Sequence, residues 1–315
     1  MLAAGVLAAS AFAACAFDLQ GHRGARGLAP ENTLPAFAAA LAVGVHTLEL
    51  DTLVTRDGVV VIHHDRDLNP ATTRGADGRW LAARGPLVRS LSFDQLSRFD
   101  VGRLDPASAY AKNYPQQKPV DGTRIPRLAD LFVLARDTEV RFNIETKSSP
   151  LEPRATPEPE VFARALLEQV RIAGMSRRTT IQSFDWRTLQ AVQKIAPGIP
   201  TIYLSARQKW LDNVADGSPW TAGFQLREHG SVPRMVKAAR GAVWSPYFGD
   251  LDAADLAEAR ALGLKVVVWT VNEPGQIRRM LELGVDGIIS DRPDLVREAM
   301  AERGMALPAP ASVKP

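Results

Sequence analysis

The sequence predicts an α/β fold of parallel strands closed into a (β/α)8 TIM barrel with a small insertion after the second strand, and three observations carry that expectation. Apolar strand-like runs alternate with helical patterns from one end of the chain to the other, and eight such runs are present. Several are continuous Val/Ile stretches, KVVVWT at 265–270 foremost, as strands covered on both faces require. Histidines and acids, costly to leave unpaired beside apolar strands, stand at the ends of the early runs, where a parallel barrel keeps its active site. A barrel of about 250 residues plus an insertion accounts for the length of 315 residues, and two average domains fit it equally well.

In order, the strand candidates are Asp18 to His22, His46 to Asp51, Val140 to Thr146, Thr179 to Phe184, Pro200 to Leu204, Ala242 to Ser245, Lys265 to Thr270 and Asp286 to Ser290. The helix candidates between them are Thr33 to Val43, Leu128 to Arg136, Glu158 to Ala173, Trp186 to Ile195, Ala253 to Leu262, Pro274 to Leu283 and Pro293 to Glu302. The stretch between the fifth and sixth strands has no clear pattern, and a strand near Phe224 is an alternative to one of the eight. Asp57-Gly58 followed by VVVIHH predicts a hairpin extending the second strand. Residues 66–125, rich in Gly, Pro, Asp and Arg and without helical period, read as the insertion, packed beside the barrel mouth. The barrel spans 18–305, and the Pro/Ala-rich residues 306–315 read as a flexible tail.

With 46% hydrophobic and 23% charged residues, the chain can bury a sizeable core. A net charge of only +3, with no long Lys/Arg run, argues weakly for an anionic ligand and against nucleic acid. The single cysteine, Cys15, excludes an intramolecular disulfide and any multi-cysteine metal site, so a metal here is held by oxygen or imidazole. Residues 1–17 are apolar and end in small residues, with Ala11-Phe12-Ala13 of A-x-A form, which reads as a signal peptide lacking its charged n-region. Export to the periplasm is therefore expected. Cys15 after Phe12-Ala13-Ala14 resembles a lipoprotein box with Phe in place of the commoner Leu, and a cytoplasmic protein with a plain apolar N-terminus is the other alternative.

Glu49 and Asp51 are two residues apart, so on a strand they share one face, where two carboxylates repel unless a cation sits between them. Solvent-facing charges on an edge strand are the competing explanation. Glu145, in FNIETK, adds a third acid at the end of the next barrel strand, and three oxygen donors without sulfur suit one Ca²⁺ or Mg²⁺ better than zinc. His22 and His64 close two apolar runs near these carboxylates and can serve as base and acid. Asp65 is placed to orient an imidazole or to bond backbone amides, and Arg23 to clamp phosphate or to form a surface ion pair.

Other motifs fail. The glycines at 21, 24 and 27 are spaced GxxGxxG rather than as the dinucleotide fingerprint. Asp65, Asp67 and Asn69 start like a calcium loop, but Pro70 and Ala76 occupy its glycine and glutamate positions. No GxSxG elbow occurs, and His63-His64 lacks the HxH alternation that two zinc ligands on one strand face need.

HRG at 22–24, PENT at 30–33, ELD at 49–51, DG then HHD at 57–65, NIETK at 143–147, QSFD at 182–185 and WTVN at 269–272, in this order, resemble the glycerophosphodiester phosphodiesterase family from about Asp18 to Arg297. The length, insertion and N-terminus resemble its bacterial periplasmic branch. The resemblance implies a (β/α)8 barrel that hydrolyses glycerophosphodiesters, such as glycerophosphocholine and glycerophosphoethanolamine, to sn-glycerol 3-phosphate and an alcohol. It implies Glu49, Asp51 and Glu145 as ligands of the cation, His22 and His64 as the acid/base pair, and Arg23 and Lys147 as phosphate-holding groups. Phe184 and Trp269 would line the glycerol side, while Asn32 and Thr33 fix their loop and cap the first helix. A barrel phospholipase of the D or phosphatidylinositol type, with Trp80, Phe93, Trp210, Trp220 and Phe248 as rim candidates, and a non-catalytic phosphate-binding protein are the alternatives. The expected partner is a small-molecule substrate, without nucleic acid or an integral membrane span.

Overall fold

The computed structural model describes residues 17–315; the expected signal peptide and Cys15 lie outside the described residues, Phe17 excepted. Eight parallel strands, Asp18–Gly21, Thr47–Val54, Arg141–Thr146, Thr179–Ser183, Thr201–Ser205, Val243–Pro246, Lys265–Val268 and Gly287–Ser290, each pair with the next. The first pairs with both the eighth and the second, which closes the barrel. Each expected strand is present with bounds shifted by a few residues.

The second strand shows how the sequence sets the geometry. Leu48 and Leu50 are fully buried in the layer between strands and helices, so the alternating Glu49 and Asp51 turn toward the barrel axis. That axis is divided. On the first four strands Asn143 donates to Gln20 and Gln182, and Gln182 donates to Glu49, a buried amide ladder. On the last four, Ile202, Val243, Val267 and Ile289 form an apolar cluster capped by Trp269.

The crossover helices match the expected ones, the first running from Leu34 to Val43 with Thr33 accepting the Ala36 N–H. Between the fifth and sixth strands the outcome differs. No strand forms near Phe224; a small hairpin (Arg207–Gln208 with Leu211–Asp212) is followed by the helix Val232–Ala238. Only one turn of apolar spacing, Val232, Met235 and Val236, marks this helix, too short a run to show a period.

The second strand continues into an antiparallel pairing with Val60–Ile62, the expected hairpin. The insertion after it builds its own core, in which Leu68, Val88, Leu96, Val101 and Ile125 pack on Leu53 and Val61. The residues after the last helix make contacts of their own. The Ala311 N–H donates to Leu41, Arg297 holds the Pro308 carbonyl, and Ala311 and Val313 cover apolar surface, so the segment docks against the first helix. No helix among the described residues is long and apolar enough to cross a membrane.

Candidate active site

The residues singled out in the sequence converge at the C-terminal ends of the strands, the face that carries the site in parallel barrels. Strand register sets Asp51 beside Glu145, and Glu49 shares the inward face of Asp51. Ligand oxygens of Glu49, Asp51 and Glu145 lie within 4.8 Å of one another, all three residues buried. Burial and then the Asp51 charge push Glu49 well above the usual carboxylate range, and burial pushes Glu145 up to about 7 despite Lys147. Burial works upward on Asp51 too, but Arg23, His64 and Lys147 outweigh it and hold that carboxyl well below its ordinary value.

Lys147 Nζ donates to Glu145 at 2.8 Å and lies 3.7 Å from Asp51. Gln182 and the Arg23 N–H hold the two oxygens of Glu49, and Asn32 donates to Asp51 at 2.8 Å. These donors aim the carboxylates but leave a concentration of negative charge. The set fits a hard divalent cation with oxygen ligands.

The imidazoles stand across the same cleft. His22 Nδ1 lies 2.6 Å from Asp291, and His64 Nδ1 lies 2.6 Å from Asp65. Both aspartates are held well below their ordinary range against burial, Asp291 chiefly by Arg26 and Asp65 by His64, so they are acceptors and each Nδ1 donates. Nε2 of each ring is then free to exchange a proton with a ligand. Burial, with Arg26 second, lowers His22 to about 4, and burial with Arg23 and Lys147 lowers His64 to about 4.

Arg23 lines the cleft, yet its guanidinium is already engaged: Nη1 bonds Glu31 at 2.6 Å, and Nε lies 3.2 Å from Asp51 without hydrogen-bond geometry. This pairing is buried, so the surface ion pair is not what forms. Asn32, expected only to fix its loop, also braces Asp51. Phe184 and Trp269 meet edge to face at 5.2 Å on the far wall. Of the five rim aromatics, Trp210 and Trp220 line the cleft; Trp80 stacks with Arg74, while Phe93 and Phe248 pack on core clusters.

Several residues went unread in the sequence. Asp291 directly follows the eighth strand and Glu145 is the last residue but one of the third, so position at a strand end was an available signal. Arg26 binds Asp291 through two nitrogens at 2.8 and 3.0 Å, and Asn272 adds a third donor at 2.8 Å. Tyr110, from the insertion, accepts from Arg26 and donates to Glu31, and nothing in its sequence neighbourhood marks it.

Fold and site together define a class: a parallel-barrel hydrolase whose cleft sets two aspartate-backed imidazoles opposite an acidic triad. Within that class the chain belongs to the glycerophosphoryl diester phosphodiesterase family, whose model matches residues 22–295. It is similar to a glycerophosphodiester phosphodiesterase of Caldanaerobacter subterraneus, 25% identical over 283 residues that cover 90% of this chain and 97% of that one. The crystal structure of a Silicibacter pomeroyi protein assigned as a glycerophosphoryl diester phosphodiesterase is 37% identical, with a TM-score of 0.83 over 92% of this chain and 95% of that one. An Oleispira antarctica phosphodiesterase in complex with the product sn-glycerol-3-phosphate shares the fold at 22% identity, with a TM-score of 0.65 over 90% of this chain and 96% of that one.

Proposed function

We propose that the protein hydrolyses glycerophosphodiesters to sn-glycerol 3-phosphate and an alcohol, with His22 as general base and His64 as general acid. One observation carries this reading: each imidazole has its Nδ1 tied to an ionised aspartate, leaving two Nε2 atoms to serve one cleft beside three clustered carboxylates. A divalent cation, Ca²⁺ or Mg²⁺, held by Glu49, Asp51 and Glu145 would neutralise phosphate oxygens and the charge that develops on them.

The two aspartates are not equivalent, and the difference supports the division of labour. Asp291 shares its charge with the Arg26 guanidinium, so it orients His22 while doing less to favour an imidazolium. His22 is better suited to start neutral and accept a proton from the attacking oxygen. Asp65 has the His64 imidazole as its close hydrogen-bond partner, with Asn69 as a neutral donor and the exposed Arg84 at 3.8 Å. A phosphodiester anion beside Arg23 and Lys147 offsets the two cations that, after burial, keep His64 neutral. His64 then carries the proton that the departing alkoxide needs.

In this reading Lys147, which lines the cleft, would hold a phosphate oxygen, and the neighbouring Phe184 and Trp269 would pack against the glycerol. A phospholipase acting on intact lipids and a non-catalytic phosphate binder are not favoured, since family and site chemistry both favour a glycerophosphodiester hydrolase. Periplasmic export remains our reading of the apolar N-terminus alone. The activity is tested by a coupled assay for glycerol 3-phosphate release from glycerophosphocholine, with and without chelator. Turnover that stops on chelation and returns with Ca²⁺ or Mg²⁺ is the expected result; undiminished turnover after exhaustive chelation refutes the role of the triad. For localisation, mass spectrometry of protein from the native cell should find a mature N-terminus between Ala14 and Asp18, whereas an intact Met1 in the cytosol contradicts export.

A further inference from the structure

A glycerophosphodiester brings two parts into the cleft, the glycerol phosphate and the alcohol that leaves. The departing oxygen takes its proton from His64, so that alcohol lies beside His64. Two residues further along the chain, where the insertion begins, stands Arg66, which lines the same cleft. Its carbonyl accepts the Val88 N–H at 2.9 Å, and this ties its backbone to the core of the insertion. Its guanidinium is held through Nε alone, which donates to Glu152 at 2.7 Å. The Glu152 side chain is 56% exposed and does not line the cleft. Among the described residues neither Nη group of Arg66 forms a hydrogen bond, whereas Arg23 and Arg26 each spend one on a buried carboxylate.

The charges around Arg66 decide what it can receive. Arg23, Arg26, Arg66 and Lys147 line the cleft against two carboxylates, Glu49 and Glu145, both of which belong to the acidic triad. Arg23, Arg26 and Lys147 are already paired with Glu31, Asp291 and Glu145. Arg66 has only its half-exposed partner, a pairing that solvent weakens. A quaternary ammonium on the alcohol meets like charge here, with no carboxylate set aside for it. A carboxylate at the same place meets a planar fork of N–H donors, the group that binds carboxylates through two parallel bonds.

Resting on the phosphodiesterase reading above, we propose that Arg66 selects the leaving alcohol, and that glycerophosphodiesters of alcohols bearing a carboxylate are better substrates than those of choline or ethanolamine. The reaction is the same hydrolysis. The P–O bond to the alcohol breaks, water gives a hydroxyl to phosphorus and, by way of the two histidines, its other proton to the departing oxygen, and a hydroxy acid leaves with its carboxylate intact.

The test measures kcat/KM of the full chain on three diesters of glycerol 3-phosphate: that of choline, that of 3,3-dimethylbutanol, the uncharged carbon isostere of choline, and that of 3-hydroxypropanoate, whose carboxylate takes the place of the ammonium. The carboxylate diester is expected to exceed the uncharged one by at least about tenfold, and the choline diester to fall below it. Arg66→Gln should bring the carboxylate diester down to the level of the uncharged one and leave the uncharged one near its parental value. Arg66→Glu should reverse the order, with choline above the carboxylate, while Arg66→Lys, which keeps the charge without the fork, should retain part of the preference. Turnover of all three diesters without preference for the carboxylate overturns the selection and leaves the phosphodiesterase reading standing. A choline diester that outpaces its uncharged isostere also overturns it, as does a carboxylate preference that survives in Arg66→Gln, or a loss in that variant shared equally by all three. Absence of turnover on every diester overturns both readings.

Discussion

Asp291 accepts from His22, Arg26 and Asn272 at once, and that crowding fixes which nitrogen of His22 carries its proton. An amide at this position could present its NH₂ to Nδ1 and stabilise the wrong tautomer, so Asp291→Asn is expected to lower kcat by about 10² to 10⁴. A melting temperature near that of the parent separates this from misfolding, and near-parental kcat argues against a positioning role. The histidines themselves separate by leaving group. His64→Ala should lose about 10² to 10⁴ in rate on glycerophosphocholine and much less on a nitrophenyl phosphodiester, which needs little protonation on leaving. His22→Ala should lose similarly on both substrates, and rescue of His22→Ala instead reverses the assignment. The third residue-scale consequence concerns Glu145, whose carboxyl is pushed up to about 7. Below that pH the cation must displace a proton, so affinity for Mg²⁺ or Ca²⁺ is gained as pH rises and lost as it falls. Calorimetric titration between pH 5 and 7 should show a loss that approaches about tenfold per unit of acidification at the acid end, with proton release; a flat profile excludes Glu145 as a ligand.

At the scale of elements, the insertion is a clamp. It sends Tyr110 between Arg26 and Glu31 and lays the Arg26 guanidinium on the Tyr114 ring at 4.9 Å, which stiffens the loop that carries His22. Tyr110→Phe leaves a buried donor on Arg26 and an acceptor on Glu31 without partners. A loss of about 1–3 kcal/mol is expected, visible as a lower urea midpoint at unchanged slope. An unchanged midpoint would mean that water replaces the hydroxyl. The clamp also marks where the sequence stops being legible. Barrel strands announce themselves because Val/Ile runs have few alternatives, and Glu49, Asp51 and Glu145 follow from strand alternation and strand ends. The helix Val232–Ala238 was hidden by its length, and Tyr110 by the irregular chain around it. Asp291 could have been found by the rule that found Glu145. Its partner Arg26, 265 residues away, could not, since only closure of the barrel brings the two together.

Across the whole molecule, the dominant asymmetry is that of the barrel axis, with amides and acids along the first four strands and aliphatic side chains along the last four. The aliphatic half needs nothing from solution to be content. The other half holds two carboxyls, Glu49 and Glu145, displaced upward by burial beside the ionised Asp51, and its repulsion is relieved when a cation binds. Local opening should therefore differ around the ring, although every strand is hydrogen-bonded on both sides. Under chelation, amide hydrogens of Thr47–Val54 and Arg141–Thr146 should exchange faster than with cation present, while those of Val243–Pro246 and Lys265–Val268 change little. Uniform acceleration around the barrel would show the strands opening as one cooperative unit. On the uneven outcome, a closed and nearly symmetric ring wears out from one side: the arc that performs the chemistry is the arc that ages first, and the opposite arc serves as the template on which it re-forms.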